Sequence, residues 1–111
     1  MKTETDFKIT PVRMQRLKMI LSKQHQDAQN SITEAKLADD YDKVMKIADA
    51  LGSHTEAVSD FLKSTYTLRF NESMQDLLYD IAMININIVS YVHIVRKEAE
   101  HMLEISKLED F

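Results

Sequence analysis

The sequence predicts an all-α protein: a helical hairpin or up-down bundle of three to four helices, with a long C-terminal helix and coiled-coil-like packing. Three observations carry this expectation. Gly and Pro each occur once in 111 residues, against average usage of roughly 7% and 5%, and hairpin-rich sheets need both for their turns. Apolar residues recur at i, i+3 and i+4 over most of the chain instead of alternating. A heptad register of apolar residues then runs through the C-terminal third. The length suits one domain, read as an N-terminal tail over 1–9 and a single helical domain over 10–111.

Thr10-Pro11 marks the first helix start, with a hydroxyl N-cap followed by Pro at the first helical position. Met14, Leu17, Leu21, Ala28, Ile32 and Ala35 then lie on one face, although SKQHQDAQNS over 22–31 is polar and buries little. A break is expected at Ala38–Asp40, with Asp39 as the cap of a second helix carrying Tyr41, Val44, Ile47, Ala48 and Leu51. Gly52, the lone glycine, follows Leu51 where a left-handed helix end would want it. Ser53 and Glu56 have the S-x-x-E spacing of a capping box, so the sharpest turn is predicted at Gly52–Ser53. Val58, Leu62, Tyr66, Phe70 and Met74 keep helical spacing beyond it, with Asn71 as the one place where a fresh helix could be capped.

Residues 81–95, IAMININIVSYVHIV, contain no charge and are rich in β-branched residues. As a strand they would alternate well, but no turn chemistry supplies a partner strand. As a helix they extend a register unbroken on both sides. Met74, Ile81, Ile88, Val95 and Met102 share one heptad position; Leu77, Ile84, Tyr91, Glu98 and Ile105 share the second. Nine of these ten seam positions are apolar, Glu98 being the exception. A final helix over about 72–107 is therefore expected. Ile86, Val89, Val92 and Ile94 widen its apolar stripe to nearly the whole circumference, the pattern of a central helix surrounded by others. The apolar seam residues are the expected oligomer or partner interface. Asn85 and Asn87 are expected as buried polar residues that set register. Fifteen residues fall short of the ~20 a bilayer requires, so no transmembrane segment is expected.

The net charge of −4 is unevenly spread. Residues 1–25 hold six Lys/Arg and two acids, hence +4, and residues 26–111 hold eight and sixteen, hence −8. The plainest reading is complementarity within the chain or a solvated face. Arg13, Arg16 and Lys23 nevertheless form a basic face suited to an acidic protein partner. The segment 8–23 has no aromatic residue for base stacking, so nucleic acid is not an expected partner. The absence of Cys excludes disulfides and thiolate metal sites. MKTETDFKIT lacks the apolar core of a signal peptide, and the expected location is cytoplasmic, with signal-less secretion left open.

No phosphate loop, nucleophile elbow or zinc-ligand spacing occurs, and no cofactor or metal is expected. Glu98-x-x-His101 has the spacing of a di-iron helix motif, but no second such pair exists in the chain. RKEAEH over 96–101 sets Arg96 and His101 at R-x4-H and resembles the signature of HEPN-type ribonucleases. That resemblance implies His101 as general base on a ribose hydroxyl and Arg96 on the scissile phosphate, paired across a dimer. Lys97 stands where that family often has another polar residue, and Leu103 where it often has an aromatic. The expected function is a non-enzymatic helical interaction module of adaptor, chaperone or inhibitor type, self-associating through the apolar seam. A dimeric ribonuclease is the alternative, and a structural subunit of a helical assembly the second.

Overall fold

Three helices pack along one another: α1, Pro11–Leu37; α2, Tyr41–Ser64; and α3, Glu72–Glu109. This computed structural model describes residues 9–110, and no strand occurs among them. The expected tail over 1–9 lies outside the described residues except for Ile9, which packs on the core.

α1 begins as its sequence dictates. Thr10 is extended, with φ −117° and ψ 156°, and its hydroxyl accepts the Arg13 amide at 3.2 Å. Its C-terminal end differs from expectation. Asp39 takes a left-handed conformation, φ 56°, so it reverses the chain and cannot cap α2. Asp40 does so instead, its carboxylate accepting the Lys43 amide at 3.1 Å. The backbone amides of Ala38, Asp39 and Asp40 close the α1 end on Glu34, Lys36 and Ala35 carbonyls.

The turn predicted at Gly52–Ser53 does not exist. α2 runs straight through it, and Ser53 and Glu56 are exposed helical residues instead of a capping box. The reason lies in the apolar face. Val44, Ala48, Leu51, Thr55, Val58 and Leu62 stay in phase and are all buried, and that continuous strip outweighs the roughly 1 kcal/mol that Gly costs inside a helix. A turn comes instead over Thr65–Asn71, built without Gly or Pro. The hydroxyls of Ser64 and Thr65 donate to the Phe61 and Leu62 carbonyls at 2.6 and 2.7 Å. Asn71 then caps α3 by accepting the Met74 amide at 2.9 Å.

The helices run up, down and up, and share two core clusters. Met14, Leu21, Val58, Leu62, Met74 and Ile81 fill one end; Ile32, Ala35, Val44, Ala48, Leu51, Ile88, Val92, Val95 and Ala99 fill the other. Interhelical ion pairs flank them: Lys18–Asp80 at 3.0 Å, Lys36–Glu98 at 2.6 Å and Arg96–Asp49 at 2.8 Å. Lys18 and Lys36 both reach from α1 to acids of α3, and the Lys18 pair joins the basic leading segment to the acidic remainder of the chain. The molecule measures 60 × 25 × 19 Å, and α3, about 57 Å long at 1.5 Å per residue, spans it. Beyond Leu103 the helix overhangs its neighbours, and Glu104 to Asp110 are all exposed.

Candidate interaction surface

The predicted seam divides by position. Met74, Ile81, Ile88 and Val95 are buried within the single chain, with Ile81 and Ile88 at 0% and 1% exposure. Leu77, Ile84, Tyr91 and Met102 are half-buried, and Ile105 is exposed. The heart of the seam is thus the chain's own core, where each fully buried Ile contributes about 1.5–3 kcal/mol.

α3 is not surrounded, however. Two neighbouring helices cover one side of it, leaving the opposite side open. Along that open side lie Tyr79, Met83, Ile86, Val89 and Ile94, between 39% and 65% exposed, interleaved with exposed Ser90 and His93. Spacings of 4, 3, 3 and 5 residues keep them within one broad face, about 140° wide at 100° per residue. Isolated exposed apolar residues are ordinary, but a contiguous stripe of five on one helix is not. The sequence recorded Ile86, Val89 and Ile94 as off-seam apolar residues; Tyr79 and Met83 belong with them by phase. An 18-residue window of α3 is long and apolar enough to cross a membrane by length and composition, and 22% of that window is buried in the bundle.

The two asparagines separate in the same way. Asn85 is 4% exposed, and its amide donates to the Ser59 hydroxyl at 3.0 Å and the Thr55 carbonyl at 3.3 Å. It therefore links α3 to α2, while its Oδ1 is buried and accepts no bond. Asn87 is exposed. The expectation of a buried, register-setting Asn87 is corrected: two residues on from Asn85, it lies about 160° away around the helix.

At the loop end, Leu62, Tyr66, Leu68, Phe70, Leu78 and Ala82 line an apolar hollow of about 320 Å³ beside the start of α3. On α1, Arg13, Arg16 and Lys23 are exposed, and Lys23 pairs with Asp27 one turn on at 3.2 Å. Val12, Met19 and Ile20 are exposed beside them, giving this helix a mixed basic and apolar outer side.

Arg96 and His101 do not converge. Five residues apart, they point about 140° from each other around α3. Arg96 lines a polar hollow with Asp49, Gly52, Ser53 and Glu56 and is held by Asp49; His101 is exposed. Glu98, the other half of the di-iron-like spacing, is bound to Lys36. No group of three or more His, Asp or Glu is arranged to hold a metal among the described residues.

One histidine has an unusual setting. His25 packs edge-on against Tyr91, ring centroids 5.2 Å apart, and its Nε2 is buried without a hydrogen-bond partner. Burial lowers its pKa below the ordinary value. Burial likewise raises that of Tyr91, with Lys36 opposing and Glu98 adding to the shift. Both shifts follow from how the two rings pack between the helices. No protein-family model matches the chain, and no curated protein or solved structure matches it either.

Proposed function

We propose that this protein is a non-enzymatic helical interaction module that self-associates through the outer face of α3. One observation carries the reading: the contiguous exposed stripe Tyr79, Met83, Ile86, Val89 and Ile94, opposite a core that already satisfies the buried side of the same helix. Removing such a stripe from water is favourable at roughly 25 cal/mol per Å², and a second helix packing along it coiled-coil fashion is the simplest cover. The rim charges then select partner and orientation. A ribonuclease working through Arg96 and His101 is less well supported, because Asp49 already occupies the guanidinium that would bind phosphate.

Solution mass by light scattering tests this, on the wild type and on Ile86→Asp. Ile86 is 55% exposed, so the variant folds with unchanged helix content. The expected result is a wild-type dimer or larger and a monomeric Ile86→Asp. A wild type that stays monomeric at all concentrations rejects self-association, and an Ile86→Asp variant that stays oligomeric rejects this face. Ile88→Asp makes the contrast, since Ile88 is in the core and its substitution unfolds the chain.

A further inference from the structure

The self-association reading says which face is covered; the charges around that face say how. We infer that the occupant is a second copy of this chain, with the two α3 helices antiparallel about a two-fold axis beside Ile86 and Asn87. This rests on the reading above and adds an orientation to it.

The axis is fixed by the apolar stripe alone, whose outermost residues are Tyr79 and Ile94. Its midpoint falls between Ile86 and Asn87. Antiparallel pairing about that point places Tyr79 opposite Ile94 of the other copy, and Met83 opposite Ser90. Continuing outward, Asp76 comes opposite Lys97, and Glu72 opposite His101. All four are exposed. A register chosen from hydrophobicity therefore sets an acid against a base, and an acid against a His, at two successive levels. Two-fold symmetry repeats each of them at the other end. A parallel pairing in register would instead set Asp76 against Asp76 and Lys97 against Lys97, which is repulsive.

Size is consistent as well. A stable interface buries about 800 Å² per partner, roughly a tenth of a small protein's surface, and this chain exposes 7935 Å². The strip from Glu72 to His101 is about 45 Å long and 10–12 Å wide, a footprint near 500 Å² before side-chain relief. The overhanging end supplies more. In the antiparallel arrangement Ile105 and Leu108, both exposed, lie over the partner's α2–α3 connection, where Tyr66 and Leu68 are exposed too. An interface of this area and polarity sits toward the small end of the stable range, so the dimer is expected to dissociate on dilution.

The chain has no Cys, so single-cysteine variants with a short bis-maleimide crosslinker read the orientation directly. Asp76→Cys and Lys97→Cys both leave the apolar stripe intact. Each alone is expected not to cross-link, because the two equivalent sites of an antiparallel pair lie about 32 Å apart. An equal mixture of the two, one carrying a mass tag, is expected to give the mixed dimer. If Asp76→Cys cross-links to itself, the antiparallel arrangement is overturned while self-association stands. If the chain is a dimer by mass and neither the single variants nor the mixture cross-links, this orientation and register are likewise overturned. A monomeric wild type removes both. Charge reversal gives a second readout: Asp76→Lys is expected to weaken the dimer about five- to tenfold, since the pair occurs twice. Adding Lys97→Asp is expected to restore it, and failure of that restoration overturns the Asp76–Lys97 pairing.

Discussion

Gly52 shows how a residue can mislead when its type is read without its neighbours. It has an ordinary helical conformation, and a Cβ built on it would meet Val92 Cγ1 at 3.6 Å, a normal van der Waals distance. Nothing there demands glycine. Gly52→Ala is therefore expected to stabilise the fold by about 0.5–1 kcal/mol, through a less flexible unfolded chain, read as a higher urea midpoint at unchanged m. His25 makes the opposite case, a polar residue with a consequence the sequence did not signal. Its pKa is lower in the fold than in the unfolded chain, so on acidification through about pH 6.5 the unfolded state takes up the proton first. The stability is complete above that range and is lost as pH falls. The wild-type urea midpoint is expected to drop between about pH 7.5 and pH 5.5, and His25→Phe, which keeps an aromatic edge on Tyr91, to flatten that drop.

Each helix is defined by its start more than by its composition. Thr10, Asp40 and Asn71 all accept an amide three residues on, and each satisfies one donor the helix leaves free. One of these caps was legible as a hydroxyl before Pro, and Asn71 was legible as a possible cap. The third was expected one residue early, at Asp39 instead of Asp40, because only the backbone decides which of the adjacent aspartates turns left-handed. Asp40→Ala is expected to cost about 1 kcal/mol in thermal or chemical unfolding, whereas Asp39→Ala loses nothing at the cap and strains the left-handed position instead. The polar stretch 22–31 stays helical despite its composition, held by the buried residues Leu21 and Ile32 on either side of it.

At the scale of the molecule, three helices of unequal length leave α3 both uncovered on one side and overhanging at one end. The overhang buries little against the bundle, so a chain stopped after Leu103 is expected to melt within about 3 °C of the full chain, equivalent to roughly 0.5 kcal/mol. The same truncation is expected to weaken self-association measurably by light scattering, since Ile105 and Leu108 lie on the proposed contact. Were the overhang part of the core, melting would fall steeply instead.

The sequence by itself determined that the protein is helical, where α1 begins, and which row of α3 is most apolar; at Asn71 it offered a helix start without deciding it. Those properties come from local chemistry: caps, periodicity and the scarcity of Gly and Pro. Only the tertiary structure decided that the row from Met74 to Val95 is internal and that Gly52 is no turn. It also decided that Asn85 and Asn87 have opposite fates. Periodicity gives the angle of a residue around its own helix, but burial depends on how many neighbouring helices there are and where they lie. With two neighbours in place of a full ring, the residues read as a buried circumference become a core on one side and an exposed apolar face on the other.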